Sequence, residues 1–508
     1  MLYLIDKSTL DKRCGGGPMI RGKNNNLAFL EELREYTFDS KMLCAQTFSS
    51  RITGIDGISI ESITKYTNMI APYEVETFTL FSIVYDDASA NKEMNLEAFS
   101  RFITGIRNYW SPKFDSYTSK ELLATDLFML MALQQFAVQG SILLKLFRYN
   151  YFFTYINDEI DMSKVFVEKF EVEYKEYAVF AYILFEYTSL EFQNRFGREF
   201  CAKLVEQALQ NKIVQKQLTI TKNNYVKELS DFYRGKIEDY FYGIKLQYLY
   251  PLIEGENATY IPSPYLVVNA VTESLLNRLT EGNDALRSLI GKEVIESYLF
   301  TIYGKLSSVS WKSREISYKN GQCLSPDVLV SDSGYFIFFD TKSKAPSLKL
   351  RQLDKKLIEK DIDIYSDNIV QLYQRILDYL NGDFALDRRY SKDEMFAVSV
   401  ILEDSYINRF PIYMQAFEKL KNMGYSLDDK EKEFIHSQIK IMSLRQIEDY
   451  VLRNQSIITI LCKQAENPDM WDDYQFGEEF YCEKFLDIFN SFYSSLLDGV
   501  KELSQYLR

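Results

Sequence analysis

Ser325-Pro326-Asp327-Val328-Leu329-Val330, then Ser331-Asp332-Ser333-Gly334, then Tyr335-Phe336-Ile337-Phe338-Phe339-Asp340-Thr341-Lys342 is the stretch that decides the reading of this chain. Apolar runs on both sides of a Ser/Asp/Gly cluster predict two short strands joined by a tight turn. A turn centred on Asp332-Ser333 sets Asp327 opposite Phe338, with Asp340 two residues further along the second strand. Strand side chains alternate, so Phe338, Asp340 and Lys342 share one face. Asp327 is then a diagonal neighbour of Asp340, roughly 7 Å away between backbones. One metal ion could bridge both carboxylates, and without a cation they repel. A one-residue slip would put them on opposite faces. Two carboxylates and a lysine on paired strands are the residue types that metal-dependent phosphodiester hydrolysis needs.

Working outward, a helix through Gly291–Leu299 and a strand over Val309–Tyr318 precede the hairpin. A helix around Asp367–Leu380, a buried strand at Phe396–Leu402, a helix near Pro411–Met423, a strand at Ile439–Met442 and a helix from Leu444 come after it. That order predicts an α/β core with a mixed central sheet. A helix over Leu266–Leu279 and the proline-rich Tyr260-Ile261-Pro262-Ser263-Pro264-Tyr265 mark its start. Residues 76–255 are read as a large, mainly helical domain. Leu127, Leu130, Met131, Gln134 and Val138 fall at helical spacing there, as do Phe166, Phe170, Tyr174 and Tyr177. The aromatic stripes are better core than base-stacking platforms. Residues 1–75 are a mixed segment with loops at Cys14–Pro18 and Lys23–Asn26 and a candidate strand pair at Ile52–Ile60. The core occupies 256–460, and further helices occupy 461–508.

Composition narrows the chemistry. A net charge of −13 argues against a broadly basic nucleic-acid coat, so a polyanion must meet a local basic patch. The six cysteines are scattered without a C-x-x-C, which points to free thiols rather than a zinc ribbon or disulfide framework. The single histidine, His436, excludes His-based triads and His-rich metal sites and reads as packed or solvated. Any metal must rest on oxygen ligands, which suit Mg²⁺ or Mn²⁺. Charge reaches the N-terminus before an apolar run develops, and no run approaches about 20 residues. A cytoplasmic protein without a membrane span is expected.

The hairpin resembles the PD-(D/E)xK nucleases. Its flanks extend the resemblance over about residues 285–450. Gly291-x-x-x-Ile295-Glu296-x-Tyr298 is similar to the G-x-x-F-E-x-Y form of the helix before the first strand, with one extra residue and Ile for Phe. Asp340-Thr341-Lys342-Ser343-Lys344, with Gln374 and Tyr379 on the next helix, resembles the McrC-type nuclease subunits of restriction systems and related phage-defence nucleases.

The resemblance implies a restriction-endonuclease-like core. Asp327, Asp340 and Glu296 would hold Mg²⁺ or Mn²⁺, with Glu293 as the alternative glutamate and the Thr341 carbonyl as a further ligand. Lys342 would orient the attacking water, and Gln371 or Gln374 would place the lysine or a phosphate oxygen. The products would be a 5′-phosphate and a 3′-hydroxyl.

The expected function is DNA cleavage as the effector of a restriction or anti-phage system. The alternatives are an inactive DNA-binding or scaffold subunit, or a nuclease acting on RNA or branched DNA. Between Lys342 and Lys360 seven cations face two acids. This run nominates Lys344, Lys349, Arg351, Lys355 and Lys356 for phosphate contact, against the reading of a solvated helix face. No Walker motif is present, so NTP-driven movement would come from a partner or sensor subunit docking on the helical half. Assembly into an oligomer is compatible with all of this.

Overall fold

The computed structural model describes residues 28–49, 72–120, 129, 132–133, 141–232, 245–255, 258–347, 350–352, 354–466 and 485–507. The expected loops before residue 27, the strand pair at Ile52–Ile60 and the periodic positions Leu127, Leu130, Met131, Gln134 and Val138 lie outside them.

Five strands form the central sheet: β1 (Val309–Arg314), β2 (Val328–Asp332), β3 (Tyr335–Lys342), β4 (Met395–Ile401) and β5 (Ile439–Ser443). Their order is β5-β4-β3-β2-β1. The β1–β2 and β2–β3 pairs are antiparallel; β3–β4 and β4–β5 are parallel. The chain is thus of mixed α/β class with a mixed sheet.

The turn differs from the expected one. Ser333 and Gly334 take φ of 51° and 87°, the pair of positive values that a two-residue type I′ hairpin requires. Asp332 therefore pairs with Tyr335, and Leu329 with Phe338. The register moves by two residues. A shift by two preserves parity, and the register continued one residue beyond the paired ones brings Asp327 level with Asp340 instead of diagonal to it.

Alternation splits the hairpin between two cores. Leu329, Phe336 and Phe338 join one; Val328, Val330, Ile337 and Phe339 join the other. Phe336 through Phe339 are all fully buried, each contributing about 1.5–3 kcal/mol of hydrophobic stabilisation.

Among the helices around the sheet and its neighbours are α1 (Ile142–Thr154), α2 (Tyr174–Glu186), α3 (Glu296–Tyr303), α4 (Lys355–Leu380), α5 (Arg409–Asn422), α6 (Leu444–Val451) and α7 (Asp487–Ser504). The Phe338 face is covered by α4, through Ile369, Leu372 and Ile376, and by α5, through Ile412 and Ala416. The Phe339 face meets α3, where the Tyr303 and Phe339 rings lie 5.1 Å apart. This second core continues through α1, α2 and α7, so the helical half and the sheet share one interior. The aromatic stripe of the helical half is core: Phe166, Phe170, Tyr174 and Tyr177 are all buried.

Several boundaries are corrected. The strand expected over Val309–Tyr318 ends at Arg314; Ser317–Tyr318 pairs instead with Cys323–Leu324. The helix expected over Leu266–Leu279 is two, Pro264–Ala270 and Glu273–Thr280. The helix expected from Asp367 starts at Lys355, because the Asp354 side chain accepts from the Lys356 and Leu357 amides and caps it. Cys44, Cys201, Cys323 and Cys462 are free thiols. His436 packs edge-on against Tyr413 at 4.6 Å, and burial pushes it down to about 4. Among the described residues no helix is long and apolar enough to cross a membrane.

Candidate active site

Asp340 and Lys342 end β3 on the Phe338 face, and Asp327 immediately precedes β2 with the parity of Leu329. All three thus stand at the same end of the hairpin, and Asp327 feels the charges of Asp340 and Lys342. Lys342 Nζ lies 2.5 Å from Asp340 Oδ2. The Thr341 amide and hydroxyl both donate to Asp327 Oδ2, at 2.6 and 2.9 Å. Thr341 thus holds Asp327 with its own donors, a role distinct from the carbonyl ligation expected of it.

Glu296 arrives from the other side of the sheet, on the first turn of α3. Immediately before it, Ile290–Ile295 forms a π-helical turn. Such single wide turns accommodate one extra residue in a helix, and Gly291-x-x-x-Ile295 falls within this one. The preceding segment is anchored to the end of β3. Arg287 donates to the Ser343 carbonyl from Nε and Nη2, at 3.1 and 2.7 Å. A Cβ on Gly291 would stand 2.9 Å from Ser343 Cβ, so only glycine permits this approach.

The carboxylates sense each other. Burial, then the Asp340 carboxylate, raises Asp327 to about 7 against the opposing Thr341 donors. Burial, then the Asp327 carboxylate, raises Glu296 to about 8, although Arg314 stands 3.7 Å away. Glu293 is held elsewhere, its Oε2 accepting from Asn157 Nδ2 at 3.0 Å. Glu296 is the glutamate in electrostatic contact with Asp327.

The expected glutamines do not reach the site. Gln371 is exposed, and Gln374 donates to the Tyr425 hydroxyl at 3.3 Å. The side chain of α4 at Asp340 is Asn368, whose Nδ2 donates to Asp340 Oδ2. Its position on the buried stripe of α4, one turn before Gln371, was the available signal.

The basic run is also redistributed. Arg351 is buried and ion-paired with Glu273 at 2.8 Å. Lys344 pairs with Asp361 of α4. Lys349 lies outside the described residues. Of the nominated residues, Lys355 and Lys356 are exposed on the first turn of α4 and remain candidates for phosphate contact; Lys360, one turn on, is exposed as well.

Among the described residues, no three acidic, histidine or cysteine side chains already form a metal cluster. The donor chemistry nevertheless suits a hard cation: buried carboxylate oxygens whose mutual repulsion a divalent charge would relieve. Binding would require Lys342 to give up Asp340. Comparison with protein-family models, with curated proteins and with solved structures found no match.

Proposed function

We propose that this chain is a divalent-metal-dependent nuclease of the PD-(D/E)xK kind, cutting DNA. The observation that carries the reading is the juxtaposition of Asp327, Asp340 and Lys342 at one end of the β2–β3 hairpin, with Glu296 in electrostatic contact from α3. The five-stranded mixed sheet, with α3 before it and α4 after β3, agrees with a restriction-endonuclease-like core.

Asp327, Asp340 and Glu296 would hold Mg²⁺ or Mn²⁺. A bound divalent ion supplies a water of lowered pKa and neutralises charge developing on the phosphate. The chain's own residues do the rest. Thr341 fixes Asp327 with two hydrogen bonds. Lys342 has a partly exposed side chain; released from Asp340, it orients the attacking water or stabilises the oxyanion. Lys355, Lys356 and Lys360, exposed on the first turns of α4, would supply positive charge for the phosphate backbone. The resemblance to McrC-type subunits makes defence against foreign DNA the proposed setting.

A second reading, an inactive nuclease fold serving as a DNA-binding or scaffold subunit, is favoured by the direct Lys342–Asp340 ion pair. One experiment separates the two. Plasmid, linear duplex, single-stranded, branched and RNA substrates are incubated with Mg²⁺ or Mn²⁺ and with wild type, Asp340→Ala or Lys342→Ala. DNA cleavage by wild type, reduced about 10²-fold or more in each variant with unchanged melts, is expected. Cleavage of RNA alone would reassign the substrate. Wild-type-like cleavage by Asp340→Ala would refute the site.

A further inference from the structure

Asp340 Oδ2 is held twice, by Lys342 and by Asn368. The two donors differ in kind. Lys342 carries a flexible stem near the end of β3, and its side chain is 31% exposed. Asn368 sits on the 26-residue α4, between Asp367 and the fully buried Ile369, and is itself 2% exposed. Only the lysine can leave.

The arrangement has a cost in unsatisfied polar groups. Among the described residues, Asn368 Oδ1 is buried with no hydrogen-bond partner, and so is the hydroxyl of Ser399. Ser399 lies directly beside Asp340 in the β3–β4 ladder. A leucine, which branches at the same carbon as asparagine but is bulkier, would remove the orphan carbonyl together with the donor to Asp340. Such a polar group beside a reactive carboxylate trades stability for function.

We propose that Asn368 is the positioning residue of this site: it keeps Asp340 oriented for a divalent cation when Lys342 swings to the reacting water. The inference rests on the nuclease reading above. It puts Asn368 at the place on α4 where the resemblance put Gln371 or Gln374, but with a different task, holding Asp340 rather than the lysine or a phosphate oxygen, and it predicts a separation of metal affinity from stability.

The test uses the full chain with Mn²⁺ alone as probe, titrated by electron paramagnetic resonance of the free ion. Wild type, Asp340→Ala, Asn368→Leu and Asn368→Ala are compared, each with a thermal melt. Asn368→Leu should bind Mn²⁺ roughly 10- to 100-fold more weakly, the usual effect of losing a group that orients a ligand. Its melt should match or exceed that of wild type. Asn368→Ala should show the same loss of affinity with a lower melt. In cleavage assays the half-saturating Mg²⁺ for Asn368→Leu should rise, and the rate should recover at saturating Mg²⁺. Wild-type Mn²⁺ affinity in Asn368→Leu would overturn the inference and leave the nuclease reading standing. Loss of affinity only in step with a lowered melt in both variants would make Asn368 structural and overturn it equally. No Mn²⁺ binding by wild type would defeat the nuclease reading itself, and this inference with it.

Discussion

Asp327 and Glu296 hold the electrostatic tension of the site. Their ordinary values in an unfolded chain are about 3.9 and 4.3; in the fold they stand at about 7 and about 8. Acids raised on folding keep protons that the unfolded chain has released. Below about pH 4 both states are protonated and no effect remains. As pH rises through the unfolded values the fold begins to lose stability, and the loss is complete above the folded values. Without divalent cation, Glu296→Gln and Asp327→Asn should therefore melt above wild type at about pH 8, with the gap closing toward about pH 4. Melts across that range check this, and a gap independent of pH would show that the two carboxylates are not strained. Adding Mg²⁺ should raise the wild-type melt at neutral pH and release protons.

At the scale of elements, α4 joins two jobs that looked like one in the sequence. Its buried stripe supplies Asp361 to Lys344 and Asn368 to Asp340, while its first turns expose Lys355, Lys356 and Lys360. Charge counting cannot separate a solvated lysine from one committed to an ion pair, because both carry the same charge. Arg351 shows the difference: its guanidinium is buried against Glu273 and the Pro346 carbonyl. Changing Lys355, Lys356 and Lys360 together to Ala should weaken DNA binding and lower the slope of log K against log salt, by about 0.9 for each phosphate left without its lysine. Mn²⁺ affinity should stay as in wild type. Filter-binding titrations at several salt concentrations measure the slope, and an unchanged slope would make these lysines a solvated face.

Across the whole molecule, Arg148 of α1 is a buried ionic link between the helical half and the chain around the sheet. It is almost fully buried, with Nε and Nη2 on Glu448 of α6 at 2.7 and 2.8 Å and Nη1 on Glu403 at 2.6 Å. Tyr298 of α3 donates to the same Glu448 at 2.7 Å, two residues from Glu296. Arg148, Glu403 and Glu448 line a cavity of about 50 Å³ shared by α1, α6 and the chain after β4. Removing the cation leaves two carboxylates without their charge partner in the interior. Arg148→Ala should cost about 3–5 kcal/mol in denaturant unfolding. A loss below about 1 kcal/mol would mean that solvent enters and the link is loose.

Local chemistry settled much from the sequence alone. Alternation put Asp340 and Lys342 on one face with Asp327 at the same end of the hairpin, and a register error of two residues kept strand parity because the strand period is two. The apolar runs marked β4 and β5, and the spacing of Phe166, Phe170, Tyr174 and Tyr177 marked buried helix. The turn centre was missed because Asp332, Ser333 and Gly334 are all turn formers, and the φ > 0 requirement falls on the last two only in the folded hairpin. Asn368 in place of Gln371 or Gln374, the burial of Arg351 and the Arg148 link were decided by tertiary structure. Each depends on which face of a helix meets the sheet and on which charges are taken out of water together. Those are long-range facts of packing, and neither spacing nor composition encodes them locally.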